Sequence, residues 1–184
     1  MSRLTKIKFL RLAQNKFSGV FPPAIYNLSS LLFLSIPTNP FSGQLRPDVD
    51  LLYPNIQVLF LGGNAFKGQI PSSLANITSL REFDIAACDM TGSIPLTTAS
   101  WCWLQQTWGG GGKMSHAISN LSNRLTYLFL GGNFISGSIS HDIGNLESLQ
   151  TFKVEQSLLT GELPTSLGML SRLGRLQLQS NMMS

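Results

Sequence analysis

Two stretches of this chain pair residue types that could do chemistry. His141 precedes Asp142 in "SHDIG", a base beside a carboxylate that could orient it, and "GGGGK" at 109–113 holds the glycines and lysine of a loop that cradles phosphate. Neither constellation is complete. Neighbouring side chains on a turn diverge, and no motif positions a nucleophile near His141. A phosphate loop needs glycine at position 107 and Ser or Thr at 114, where the chain has Thr107 and Met114. The other histidine, His116, falls at the same kind of outer turn, and Cys88 and Cys102 make no zinc pattern. The sequence therefore predicts no catalytic site, no metal and no cofactor.

Residues suited to recognition are more numerous. Three acceptor motifs for N-glycosylation, "NLS" at Asn27, "NIT" at Asn76 and "NLS" at Asn120, share one phase of a longer pattern. A second set is Phe9, Arg11, Phe33, Ser35, Phe60, Glu82, Asp84, Tyr127, Phe129, Lys153, Glu155, Arg175 and Gln177. It is rich in aromatic rings and arginine, the usual anchors of protein interfaces. What gives these residues a common position is a repeat.

Asn15, Asn39 and Asn64 each follow an alternating apolar segment ("FLRLAQN", "FLSIPTN", "VLFLGGN") at intervals of 24 and 25, and Cys88 follows 24 later. Asn133, Ser157 and Asn181 hold the same place at intervals of 24. In the first unit the fixed places are Leu4, Ile7, Leu10, Leu12, Asn15, Phe17, Gly19, Phe21, Pro22 and Ile25. The alternation Leu10, Arg11, Leu12 has the period of a strand with one buried face, while Gly19 and Pro22 punctuate a return leg. A unit this short cannot bury its own leucines, so it is stable only when stacked on neighbours. Stacked strands make a parallel sheet, and the recognition set lies along its outward side. The asparagines carry donors and an acceptor suited to backbone groups at the bend; Cys88 and Ser157 are weaker substitutes.

The segments "NAFKGQIPSSLANITSL" and "TGELPTSLGMLSRL" resemble the plant-specific class of leucine-rich repeats. More narrowly, "REFDIAACDMTGSIP" and "ISNLSNRLTYLFLGGNFISGSISHDIGNLESLQT" resemble extracellular domains of plant receptor-like kinases of the cereal disease-resistance type. The resemblance implies an α/β-type repeat solenoid, a right-handed curved superhelix with parallel strands on the concave face and irregular or 3-10 turns on the convex face. It also implies ligand perception and defence signalling at the outer face of the plasma membrane. The partners implied are a protein or peptide ligand and a co-receptor ectodomain as a further candidate. A secreted or kinase-less repeat protein of the polygalacturonase-inhibitor kind would use the same face, and a degenerate gene copy would use none.

The pattern divides the chain into repeats over 1–95 (about four units), an irregular degenerate stretch over 96–112, and resumed repeats over 113–184, a half unit followed by about three units. The irregular stretch contains Trp101, Trp103 and Trp108 and the glycine run; an inserted island and a damaged gene region both account for it. Cys88 to Asn133 spans 45 positions, fewer than two full units need, so the sequence expects a fifth unit without a strand and a weak point there. Paired cysteines of the end caps usual in such ectodomains are missing, as are a secretory leader and an apolar run of ~18 residues. The expectation is an internal fragment, marginally stable and prone to associate, attached to a membrane only through segments of a longer parent. A net charge of +4 with 12% charged residues, scattered, argues against nucleic-acid binding.

Overall fold

An outward, an inward and an outward side chain make each coil's strand only three residues long. The computed structural model describes residues 6–93 and 124–184. There the strands β1 (Phe9–Arg11), β3 (Phe33–Ser35), β5 (Val58–Phe60), β7 (Glu82–Asp84), β9 (Tyr127–Phe129), β11 (Thr151–Lys153) and β13 (Arg175–Gln177) stack in that order into one parallel sheet. Their central residues Leu10, Leu34, Leu59, Phe83, Leu128 and Phe152 are buried in register, so the expected solenoid is present. A second parallel sheet runs along the return legs, which the sequence assigned to irregular turns. It consists of β2 (Gly19–Val20), β4 (Phe41–Gly43), β6 (Ala65–Gln69), β8 (Asp89–Gly92), β10 (Phe134–Gly137), β12 (Leu158–Gly161) and β14 (Met182–Met183). The spacing rule missed it because these strands follow the asparagine bend without a long apolar alternation.

Between the sheets the return legs turn through short helices, α1 (Pro23–Tyr26) and α2 (Val49–Leu52), and 3-10 turns at Ser72–Asn76, His141–Asn145 and Thr165–Met169. Proline presets the backbone before most of them, at Pro22, Pro71 and Pro164. Ser140 substitutes at one turn by accepting a hydrogen bond from the Asp142 N–H at 3.1 Å. The wide coils at the N-terminal side are filled by edge-to-face rings: Phe21 lies 5.5 Å from Phe41, 5.7 Å from Phe66 and 5.0 Å from Tyr26.

From Asn39 onward, each asparagine at the bend ties two coils together. Asn64 donates to Leu61 O (2.7 Å) in its own coil and to Ile36 O (3.0 Å) in the preceding one, and accepts from the Phe41 N–H at 3.2 Å. Asn39 and Asn181 repeat the arrangement. Cys88 reaches only Leu61 O at 3.8 Å, and Ser157 bonds Glu155 O of its own coil at 3.5 Å. The thiol crosses to the preceding coil through that one long contact, and the hydroxyl stays within its own coil. The residue before the bend asparagine is left-handed in every coil, with Gln14, Thr38, Gly63, Ala87, Gly132, Gln156 and Ser180 all at φ between 51° and 65°. The second glycine of "LFLGGN" thus occupies a place that costs other residues about 1 kcal/mol or more.

The coils on either side of the irregular stretch are direct neighbours. Glu82 pairs with Tyr127 and Asp84 with Phe129, and the second sheet continues from β8 to β10. Gly92 and Leu125 are 33 positions apart in sequence, against 12 from Gly68 to Leu80. β7 pairs directly with β9, and the irregular stretch 96–112 lies outside the described residues. Asn133 bridges this boundary in full, donating to Ile85 O (3.0 Å) and Leu130 O (2.8 Å) and accepting from the Met90 N–H at 3.1 Å. The boundary between β7 and β9 thus has a complete amide bridge, whereas the boundaries at Cys88 and Ser157 do not. Asn133→Ala should destabilise the fold by about 3 kcal/mol or more, by leaving buried backbone groups unpaired, while Cys88→Asn should add about 1 kcal/mol. Urea unfolding checks both, and an Asn133→Ala loss below 1 kcal/mol would contradict the bridge.

Candidate functional site

Two outward rows cross the first sheet. The first positions of the strands carry Phe9, Phe33, Val58, Glu82, Tyr127, Thr151 and Arg175, and the third positions Arg11, Ser35, Phe60, Asp84, Phe129, Lys153 and Gln177. All the recognition residues read from the sequence except Glu155 therefore fall on this sheet, and Glu155 follows two places after Lys153. Val58 belongs to the same rows and is half-buried, and Thr151 shares their register but is buried; neither is aromatic or charged.

Ser35 is a correction to the outward set. It is buried, because its short side chain sits in register between Arg11 and Phe60, whose larger side chains close over it. Its neighbours form an aromatic run. Phe9, 63% exposed, lies 6.2 Å from Phe33, and Phe33 lies 6.1 Å from Phe60. The Arg11 guanidinium stands 4.5 Å over the Phe33 ring, a cation–π contact that holds the cation on the face.

From β7 onward the face becomes ionic. Lys153 Nζ lies 5.0 Å over the Phe129 ring, and that ring is 6.1 Å from Tyr127. Burial pushes the Asp84 carboxyl above its ordinary range, and the nearby Glu155 adds to the rise; the Ala86 N–H, bonded at 2.9 Å, and Lys153 oppose it. Burial also raises Glu82. One Glu155 oxygen, Oε2, is buried without a hydrogen-bond partner among the described residues.

These two carboxylates explain the first glycine of the duplicated "LFLGGN". A Cβ on Gly62 would come within 2.8 Å of Asp84 Oδ1 and 2.9 Å of the Ala86 carbonyl, and one on Gly131 within 2.5 Å of Glu155 Cδ. Each glycine makes room for an acidic side chain of the next coil. Gly62 is the stricter of the two, since its nearest neighbours include backbone that cannot swing aside.

The remaining sequence candidates lie elsewhere. Asn27 and Asn76 are exposed on the return legs, where Asn76 Nδ2 donates to Asp50 Oδ2 at 2.9 Å. Asn120, His116 and Cys102 lie outside the described residues. His141 is exposed at the start of its 3-10 turn, and Asp142 accepts from Ser140 Oγ at 3.2 Å, so the carboxylate serves the turn. Among the described residues no three His, Cys, Asp or Glu side chains converge as metal ligands. No described helix is long and apolar enough to cross a membrane. The arrangement offers rings, charges and hydrogen bonds to a bound surface.

Comparison with known proteins agrees with that arrangement. The Leucine Rich Repeat family model matches residues 6–28, 55–77 and 124–146. Receptor-like protein 35 of Arabidopsis thaliana is 34% identical over 181 residues, covering 96% of this chain and 17% of the relative. The crystal structure of a TDR receptor superposes with a TM-score of 0.81 at 31% identity, over 99% of this chain and 28% of that one. The Arabidopsis receptor kinase HAESA, solved with the peptide hormone IDA and the co-receptor SERK1, gives a TM-score of 0.78 at 25% identity, over 96% and 26%. The chain spans about a fifth of the length of the curated relatives it matches.

The raised carboxyl has a consequence for stability. Since the folded-state pKa of Asp84 lies above its unfolded value, ionisation opposes folding once the pH exceeds the folded pKa, and the penalty is absent below the unfolded one. Asp84→Asn keeps an oxygen for the Ala86 N–H, so it should raise Tm at pH 7, with the gain vanishing at pH 3. Thermal melts at the two pH values check this, and an equal gain at both would rule out the ionisation penalty.

Proposed function

The chain is a leucine-rich-repeat solenoid similar over nearly its whole length to the repeat regions of plant receptors, and from that premise we propose that it is an extracellular recognition module whose first sheet binds a protein or peptide ligand. The observation that carries the proposal is the outward face of that sheet, where Phe9, Phe33 and Phe60 stand next to one another. An aromatic run from exposed Phe9 to half-buried Phe33 and Phe60, with an arginine held over it, is the composition of an interface core. The backbone beneath it is rigid, so side chains can be displayed without an ordering cost on binding.

The parent of such a module is a plasma-membrane receptor that faces outward, perceives its ligand through this face and signals in defence through parts beyond this chain. HAESA, a receptor kinase solved with both a peptide hormone and a co-receptor, supports a peptide ligand and a co-receptor ectodomain as partners here too. The similarity extends to a relative named a receptor-like protein as well as to receptor kinases, and the face is indifferent to which is the parent. In this reading the chain contributes binding, with chemistry left to any attached kinase. Exposed Asn27 and Asn76 on the return legs suit glycans that leave the first sheet open.

Selection of peptides from a random display library on the folded chain tests the reading. Phe33→Ala and Phe60→Ala should each weaken the selected binders by tenfold or more, a hot-spot effect of about 2 kcal/mol, while Lys67→Ala on the second sheet leaves binding unchanged. Binders insensitive to every first-sheet substitution, in variants with unchanged Tm, would overturn it.

A further inference from the structure

The middle of the first sheet carries an arrangement that the repeat pattern does not require. On β7, Glu82 and Asp84 stand two residues apart and so share the outward side, about 7 Å from each other along the strand. Their partners in register are Val58 and Phe60 on β5 and Tyr127 and Phe129 on β9, so neither acid faces a base across the sheet. Neither is in an ion pair among the described residues. A third carboxyl, that of Glu155, reaches back over Gly131 in the β9 coil and raises Asp84 further; its Oε2 is buried without a hydrogen-bond partner among the described residues. Lys153 opposes that rise, but its amine is held over the Phe129 ring. β5, β7 and β9 each have a coil on either side, so their half-buried side chains are those of the interior of the stack.

Whatever covers this place meets carboxyls that burial already holds back from ionising. An acidic group is repelled there, and a neutral one removes the remaining water and leaves the charges unpaired. A cation does neither. The rings beside β7 favour one too: Arg11 stands 4.5 Å over Phe33 and Lys153 5.0 Å over Phe129, whereas Phe60, in register with Asp84, has no cation over it among the described residues. A guanidinium is flat, stacks on a ring and grips a carboxylate with two parallel hydrogen bonds, which the compact charge of an ammonium does not. β5 and β7 lie about 5 Å apart, so one flat cation can touch the Phe60 ring and the Asp84 carboxylate together.

We propose that the middle of this face recognises an arginine side chain of its polypeptide ligand, stacked on Phe60 and paired with Asp84 and Glu82. The Glu155 carboxyl adds to the field that draws the cation in. The inference rests on the first sheet being the binding face, and it names the ligand group that the face selects.

The test selects peptides from a random display library on the full chain and, in parallel, on the double variant Glu82→Gln with Asp84→Asn, which keeps the shape of both side chains and removes their charge. Arginine should be enriched severalfold over the starting library on the wild-type chain and not on the variant. In a selected peptide, replacing that arginine by citrulline, its neutral isostere, should weaken binding to the wild-type chain by about tenfold or more and leave binding to the variant unchanged. The citrulline comparison on the wild-type chain does not depend on the variant folding. Binders that Phe60→Ala weakens, with no arginine enrichment or no loss on citrulline substitution, overturn this inference and leave the binding face standing. An equal citrulline loss on both proteins also overturns it, because the arginine then sits elsewhere. Binders insensitive to every first-sheet substitution overturn both readings. A library that yields no binder overturns the inference as well.

Discussion

A bend amide at four of the six described coil boundaries governs how this chain can be a single body. A coil of about 24 residues has too little apolar surface to fold by itself, so its leucines count only when the next coil covers them. Stacking in turn buries the backbone at each bend, where unpaired N–H and C=O groups would cancel the gain. The bend asparagine resolves this by serving its own carbonyl, the preceding coil's carbonyl and the preceding coil's N–H together. Because the contact must reach the same atoms each time, it sets the register of both sheets and thereby the rows of the recognition face.

Much of this was legible in the sequence because periodicity and burial are the same information in a solenoid. Once Asn39, Asn64 and Asn133 were aligned, the strand positions of Phe9, Phe60 and Phe129 followed by counting. What escaped were consequences of neighbours that counting does not see. Ser35 shares the register of Arg11 and Phe60 yet is buried by their bulk. The second sheet is built by strands of two to five residues whose side chains carry little pattern. The paired glycines looked like a mark of duplication; each first glycine is in fact the floor beneath an acidic side chain one coil on.

The boundary after Cys88 is closed by direct pairing in both sheets, β7 with β9 and β8 with β10. Cys88 and Asn133 stand 45 positions apart in sequence, yet the coils that hold them are direct neighbours in both sheets. A solenoid tolerates length added to a return leg, since closing a longer loop costs little more than closing a short one. It tolerates a wrong side chain at the bend less well, and the incomplete contacts of Cys88 and Ser157 are therefore of greater energetic consequence than the added residues. The binding face inherits this continuity: its aromatic and ionic halves meet at β7 and β9, across that same boundary.

The most direct test of this account is native-state hydrogen exchange at the amides that cross that boundary. Ile85 donates to Phe129 O at 3.0 Å, Ala87 to Gly131 O at 2.8 Å and Thr126 to Arg81 O at 2.7 Å. If the coils form one continuous stack, these should exchange as slowly as Ile36 and Leu61, which make the same bonds within the first coils. Exchange at rates of an unstructured chain for Ile85, Ala87 and Thr126, with Ile36 and Leu61 still protected, would mean two separate blocks and would contradict the account.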